Sequence, residues 1–191
     1  MSYHKIILRA LIGFSAAILF SASAFAQSTI LVVDTGRVLR DSDVGKHIKR
    51  QLETIGESME SEAKAKASPL ESKGKSLEAQ LKGKTRASLQ TDTALKAQLQ
   101  SFQKDQQAVK VDLAYKQKEM QITEAKAVQK VQERLRIILE AIVAERNADV
   151  VLERSLVIYG DPVDVTDTVI SRLNSQMKTV PVTRERLPRK S

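Results

Sequence analysis

One feature constrains this chain more than any other: residues 41–148, more than half of its 191 residues, carry no strand signal. Apolar side chains instead recur at steps of three and four residues over 44–81 and again over 95–142. This spacing is typical of helices that pair as a coiled coil, although lysine and glutamine make the apolar stripe thin. We therefore predict two long helices that fold back on each other, and we call this stretch the arm.

Glycine and proline mark where the arm should turn or bend. Gly83 interrupts the first helix, and the Ser and Thr residues that follow offer N-caps for the second, so we place the tip of the hairpin near residues 83–93. The sequence Ser-Pro-Leu-Glu at 68–71 has the form of a capping box, which predicts either a break or a kink in the first helix. Glycines within the helices add further weak points. The distal arm should therefore be pliable.

Short β-like segments flank the arm. Residues 28–34 are β-branched and apolar and predict a buried strand. Residues 149–152 and 156–159, joined by a short polar turn, predict a β-hairpin. Residues 164–177 carry apolar side chains at helical spacing and predict a last short helix. Because a helical hairpin returns the chain to its starting point, these strands can share one sheet, and the expected fold class is α+β.

The two ends of the chain have their own patterns. Residues 1–26 combine a basic start, an apolar run and an A-x-A site, which predicts a secretory signal peptide cleaved after Ala26 and hence an exported protein. The remaining chain would consist of a small β body, formed by residues 27–40 together with 149–177, and the arm that projects from it. Residues 178–191 are rich in arginine and are predicted to be a basic, disordered tail.

The sequence offers no constellation for catalysis or metal binding. It contains no cysteine, and His47 has no neighbours of the kind that a metal or catalytic site needs. Two Gly-Lys-Ser/Thr endings, within 73–76 and 82–85, lack the first glycine and the preceding strand of a P-loop. We therefore expect no enzyme and no cofactor.

Charge is more informative than motifs. Residues 64–118 carry twelve basic and five acidic side chains, so positive charge concentrates at the end of the arm away from the body. This favours a surface that binds anions, which outside the cytoplasm are acidic polypeptides and the head groups of phospholipid or lipopolysaccharide. Nucleic acid is not expected, since no set of base-stacking aromatics is present. The candidate anion-binding residues at the arm tip are Lys73, Lys75, Lys82, Lys84 and Arg86.

The segments beside the arm resemble a known family. Residues 31–39 read Leu-Val-Val-Asp-Thr-Gly-Arg-Val-Leu and continue to Ser42 and to Gly45-Lys46, which is similar to the opening of the Skp/OmpH family of periplasmic chaperones. Residues 164–174 read Asp-Val-Thr-Asp-Thr-Val-Ile-Ser-Arg-Leu-Asn and resemble the close of that family. The resemblance covers about residues 28–176, so the basic tail extends past the usual end of the family.

This resemblance implies a homotrimer in which the short strands of three copies form a small β-barrel and three arms surround a cavity. It further implies a holdase that works without ATP, binding unfolded outer-membrane β-barrel proteins and preventing their aggregation. The residues expected in the trimer body are Ile30, Leu31, Val33, Val151, Leu156 and Ile158. Candidate apolar contacts to clients are Leu77, Leu81, Leu89, Leu95, Leu99 and Met120.

Two other functions stay open at this stage. One is a coiled-coil adaptor of the cell envelope, although a basic, glycine-interrupted tip suits helix docking poorly. The other is a protein that binds lipid or lipopolysaccharide through the basic tip. Lipid binding could coexist with chaperoning, and the residues do not separate the two.

Overall fold

The computed structural model of the chain describes residues 28–189, apart from the side chains of Arg86, Ala87 and Leu89. The predicted signal peptide lies outside the described residues. The elements in chain order are β1 (Ile30–Val33), α1 (Thr35–Asp41), α2 (Asp43–Leu81), α3 (Arg86–Thr91), α4 (Thr93–Arg146), β2 (Val150–Glu153), a short 3-10 turn (Arg154–Leu156), β3 (Val163–Asp164) and α5 (Thr166–Gln176).

Two polar side chains place the arm on the body. Asp34 ends β1 and caps α1, since its Oδ1 accepts the N–H of Arg37 at 2.6 Å. Ser42 separates α1 from α2, and its hydroxyl accepts the N–H of Gly45 at 3.2 Å. At this corner the two helices approach so closely that a Cβ on Gly45 would lie 1.6 Å from the carbonyl oxygen of Leu39. Only glycine fits there, which gives the Gly-Lys of the opening pattern a steric reason.

The arm is an antiparallel pair of unequal helices. α2 has 39 residues and α4 has 54, hence lengths of about 60 Å and 80 Å. α2 continues through Pro69 without a break, so of the two outcomes predicted for that position the break does not occur. The turn between the helices runs from Lys82 to Asp92 and contains α3, and Gly83 adopts the left-handed conformation there with φ +83°. Asn147, with φ 46°, ends α4.

The sheet corrects part of the sequence prediction. Its three strands are all parallel, in the order β2-β1-β3, with Leu31 paired to Val151 on one side and to Val163 on the other. The predicted β-hairpin of 149–152 and 156–159 is therefore wrong. The chain after β2 closes into a 3-10 turn, and β3 takes the free edge of β1. The long helical crossover explains the direction, because α4 returns the chain to the same end of the sheet from which β1 started.

The core lies where the sheet meets the root of the arm. Leu31 and Val33 of β1 pack with Val131, Leu135, Ile138 and Ile142 of α4 and with Val169 and Leu173 of α5, all of them buried. Burial of each such side chain stabilises the fold by roughly 1.5–3 kcal/mol. The apolar seam is thus densest next to the sheet, which makes this end of the molecule its body.

The chain does not leave the body after α5. Residues 178–189 have no regular secondary structure, but they run back along the arm, and Val180 is buried in the body core. The carbonyl of Val180 lies 3.2 Å from Nε2 of His47. The prediction of a disordered tail is therefore wrong for these residues. We call residues 178–189 the strap.

Candidate functional site

The tip carries the predicted cations, most of them in ion pairs. Nζ of Lys73 lies 2.7 Å from Asp105, and Nζ of Lys75 lies 2.7 Å from Glu71 on the same helix. Lys84 pairs with Asp92, the residue that caps α4. Lys82 is exposed in the turn, and the side chain of Arg86 lies outside the described residues.

These ion pairs lower the pKa values of the acidic partners but contribute little to the stability of the fold. A hydrogen bond from Lys73 lowers the pKa of Asp105, and one from Lys84 lowers the pKa of Asp92. Ion pairs on an exposed surface contribute little to stability because water screens them. The net positive charge of this region remains, so the pairing organises the tip without neutralising it.

The apolar residues predicted to contact clients separate into two groups. Leu77 and Leu95 are buried against the opposite helix and form the distal seam of the arm, so they are not available as a surface while the helices stay paired. Leu81, Leu99 and Met120 are half-buried, and Leu89 lies outside the described side chains. α4 does expose some large apolar side chains, and none of them is among the candidate client contacts chosen from the sequence. They are Val111, Leu113 and Ile137.

The most unusual part of the arm is a set of polar residues inside its seam. We call this set the mid-arm cluster: Glu62 of α2 and Asp112, Lys116, Glu119 and Thr123 of α4. All four α4 residues are buried, and Glu119 is only 1% exposed. Lys116 pairs with Glu62 across the two helices and lies 3.6 Å from Asp112 on its own helix. Burying charges is costly unless each is paired, so the cluster needs partners.

The strap supplies those partners through two arginines. The guanidinium of Arg184 lies between the helices, with Nη1 2.8 Å from Glu62 and with Nε and Nη2 at 3.0 and 2.7 Å from Glu119 Oε2. Arg189 pairs with Asp112 and stacks over the ring of Tyr115 at 5.6 Å. The strap thereby joins α2 to α4.

Main-chain hydrogen bonds complete the contact. The N–H of Glu185 donates to the hydroxyl of Thr123 at 2.9 Å, and the N–H of Leu187 donates to Glu119 at 3.2 Å. The hydroxyl of Thr123 in turn donates to the backbone carbonyl of Glu119 at 2.7 Å. Among the described residues, no buried side-chain nitrogen or oxygen is without a hydrogen-bond partner.

The carboxylates of the cluster are held in their charged form. Hydrogen bonds from Lys116 and Arg184 lower the pKa of Glu62 to about 2. Burial acts to raise the pKa of Asp112, but hydrogen bonds from Arg189 and Lys66 outweigh it and keep that pKa below its ordinary value. Burial acts to raise the pKa of Glu119 too, but the hydrogen bonds from Arg184 and the N–H of Leu187, together with the charges of Arg184 and Arg189, outweigh it and lower that pKa.

The spacing of the α4 residues in the sequence already indicates that they lie in the seam of the arm. Residues 112, 116, 119 and 123 continue the three- and four-residue spacing of the apolar stripe, so their charged and polar side chains had to enter the seam. The partners could not be found this way, because Arg184 lies 65 residues from Glu119 in the chain.

A second feature lies on the body, where the residues predicted for a trimer core divide in two. Leu31 and Val33 are buried in the core of the chain itself, and Val151 is half-buried against it. Leu156 and Ile158 are exposed together with Ile30, and Ile158 is 98% exposed. Tyr159 beside it is 99% exposed. These side chains form an apolar face at the edge of the sheet.

The P-loop-like segment at residues 73–76 does not form a phosphate-binding loop. It lies inside α2, so its N–H groups belong to the helix. Within residues 28–189, no group of three or more His, Cys, Asp or Glu side chains is arranged to hold a metal ion. No helix in this part of the chain combines the length and the apolar character needed to cross a membrane.

Comparisons with known proteins agree on the kind of protein this is. The sequence model of the family described as outer membrane protein (OmpH-like) matches residues 29–173. Among solved structures, an OmpH-like protein from Caulobacter crescentus, assigned as an outer membrane chaperone, is 27% identical to this chain. The similarity covers 84% of this chain and 92% of that one, with a TM-score of 0.69. A search of curated proteins found no significant match.

The family match spans the strand, the corner at Gly45, the whole arm, the sheet and most of α5. It stops before the strap, whose residues therefore lie outside the part that defines the family. Since the match covers far more than half of the sequence, the chain belongs to the OmpH-like family of outer membrane proteins.

Proposed function

We propose that this protein is a periplasmic holdase that works without ATP, binding unfolded outer-membrane β-barrel proteins between its arms and preventing their aggregation. The observation that carries the proposal is the similarity to the OmpH-like chaperone of Caulobacter crescentus, which extends over the arm as well as the body. The predicted signal peptide supports a periplasmic location.

The shape of the arm suits the holding of chains rather than catalysis. Its distal half, as far as its side chains are described, offers open surface rather than an enclosed site, with exposed basic side chains such as Lys82 and exposed apolar ones such as Val111 and Leu113. Unfolded outer-membrane proteins carry alternating apolar residues. Long-range attraction by the basic surface would speed encounter with acidic segments, while scattered apolar contacts would hold them weakly and without fixed direction.

We further propose that the working form is a homotrimer assembled through the body. The support is the apolar face of Ile30, Leu156, Ile158 and Tyr159, since a monomer gains nothing by leaving such large side chains in water. Leu31 and Val33 would contribute indirectly, by fixing β1 within each copy. Three copies would place three arms around a shared space.

The test uses the chain from residue 27 to 191 and an outer-membrane β-barrel protein diluted from urea. Aggregation is followed by light scattering, and the mass of the complex is measured by analytical ultracentrifugation. Suppression of scattering without ATP, at about one trimer per client and weakened by added salt, is the expected result. A trimer that leaves several clients to aggregate would contradict the chaperone proposal, and binding to anionic vesicles in that case would favour the lipid-binding alternative.

A charge-reversal pair tests the role of the tip. Lys82→Glu with Lys104→Glu changes exposed residues of the distal arm, while Lys130→Glu with Arg136→Glu makes the same change of net charge near the body. We expect the distal pair to weaken client binding by at least threefold and the proximal pair to have a smaller effect. Equal effects of both pairs would mean that net charge alone matters, contrary to a specific role of the tip.

A further inference from the structure

The strap is bound to the arm in the way a peptide ligand is bound to a receptor. It is extended, it forms no strand or helix of its own, and its partners are side chains of the mid-arm cluster. We propose that this cluster is a recognition site for an extended segment that carries arginine, that the strap fills the site within the same chain, and that the vacated site accepts such a segment from another chain. This inference does not depend on the proposed chaperone activity.

Selectivity for arginine follows from the geometry around Arg184. Its planar guanidinium reaches carboxylates on two different helices, at 2.8 Å to Glu62 and 2.7 Å to Glu119. A lysine has a single ammonium group and cannot supply such a fork of donors. Glu119 is almost fully buried, so a segment without the arginine would leave a buried carboxylate without its main partner.

Recognition of the main chain follows from the alternation along the strap. The N–H groups of Glu185 and Leu187 point to acceptors on α4, while Arg186 between them is exposed. Backbone N–H groups two residues apart point to the same side of an extended chain. The cluster therefore recognises an extended backbone through two N–H groups and its sequence through the arginines, a division of roles found in other peptide-binding sites.

Several features make the strap exchangeable. Pro181 and Pro188 lack N–H groups and so disfavour pairing of the strap in a sheet or its winding into a helix. The family match ends at residue 173, so the site lies on the part of the chain that the family model covers, whereas the strap lies beyond it. Without the strap, the carboxylates of Glu62, Asp112 and Glu119 would face only Lys66 and Lys116, which leaves a negative site suited to a cation.

The test separates the ligand from the site. The chain is ended after Thr183, so that Val180 and Val182 still pack on the body core, and a fluorescein-labelled peptide of residues 183–191 is added while anisotropy is recorded. The truncated chain should bind the peptide, and the full chain should bind it at least tenfold more weakly because its own strap competes at high effective concentration. Helix content measured by circular dichroism checks that the truncated chain is folded.

Two peptide variants supply the matched comparison. A peptide with Arg184→Gln should bind at least tenfold more weakly, and one with Arg186→Gln should bind as well as the natural sequence. Failure of the truncated chain to bind the peptide, or equal binding of the two variants, would overturn the inference.

A measurement on the full chain keeps the inference testable if the truncated chain unfolds. Hydrogen exchange at the amides of Glu185 and Leu187 should be slow in the natural protein and at least tenfold faster in the Arg184→Gln variant. The Arg186→Gln variant should leave both rates unchanged. Rapid exchange in the natural protein, or equal rates in both variants, would show that the arginine does not hold the strap.

Discussion

Replacing Gly45 with alanine should disrupt the corner that joins the arm to the body. A Cβ at this position would lie 1.6 Å from the carbonyl oxygen and 2.7 Å from the carbonyl carbon of Leu39. Ordinary carbon–oxygen contacts are about 3.3 Å or longer, so α1 and α2 would have to separate by well over 1 Å. The obstructing atoms belong to the backbone and cannot rotate away.

The expected loss can be estimated from these distances. Overpacking usually costs about 1–3 kcal/mol when side chains can yield, and a backbone clash belongs at or above the top of that range. Alanine gains about 1 kcal/mol over glycine in a helix, which offsets part of the loss. Taking about 4 kcal/mol for the backbone clash, just above that range, we expect a net decrease of about 3 kcal/mol in the free energy of unfolding. For a chain of this size, that corresponds to a melting temperature lower by about 6–12 °C.

Gly56 provides the matched control on the same helix. A Cβ there would lie 3.6 Å from Cε of Met120, an ordinary van der Waals distance. Gly56→Ala should therefore raise the free energy of unfolding by about 0.5–1 kcal/mol. Thermal and urea unfolding followed by circular dichroism measure both variants. If Gly45→Ala were as stable as the natural protein, or if both substitutions changed stability in the same direction, the reasoning from the helix corner would be refuted.

Three further predictions follow from other parts of the molecule. Hydrogen bonds from Lys116 and from Arg184 of the strap lower the pKa of Glu62 from 4.5 to about 2, so the part of the stabilisation that Arg184 supplies should be present above pH 4.5 and decline as the pH falls towards 2. Faster amide exchange in the strap would measure this loss, and release of the strap on going from pH 5 to 8 would contradict it. Ile142→Ala should lower the free energy of unfolding by about 2–5 kcal/mol in urea titrations, because this side chain is buried. Ile137→Ala on the half-exposed face should change it by about 0.5 kcal/mol or less, and similar losses for both variants would argue against this orientation of α4. At Asn147, whose φ is 46°, valine should cost about 1–2 kcal/mol and glycine almost nothing in the same titrations, a difference that should vanish if α4 ends elsewhere.

Much of the architecture could be predicted from local patterns. The three- and four-residue spacing of apolar side chains indicated both long helices, and the run from Ile30 to Val33 indicated the first strand. The α+β class and the family followed from these segments, and the family assignment is confirmed by the match over residues 29–173. Such patterns succeed because helix and strand periods are set by neighbours within about four residues.

The candidate site was predicted less well. The basic residues of the tip were correctly read as a concentration of charge, but most of them turned out to be paired with acids. Leu77 and Leu95 are among the candidate client contacts, yet they also lie on the apolar stripe that predicts helix pairing, and the structure buries both side chains. Whether an apolar residue on an amphipathic helix faces solvent or packs in the seam between two helices depends on the position of the partner helix.

The sequence alone therefore determined the helical hairpin, the short strands beside it and the family. Only the tertiary structure decided that the strands are parallel, that residues 156–159 leave the sheet, and that the strap returns to the arm. These features depend on partners far apart in the chain, such as Arg184 and Glu119, which are 65 residues apart. A buried carboxylate requires a partner, and the chain itself carries no local mark of where that partner lies.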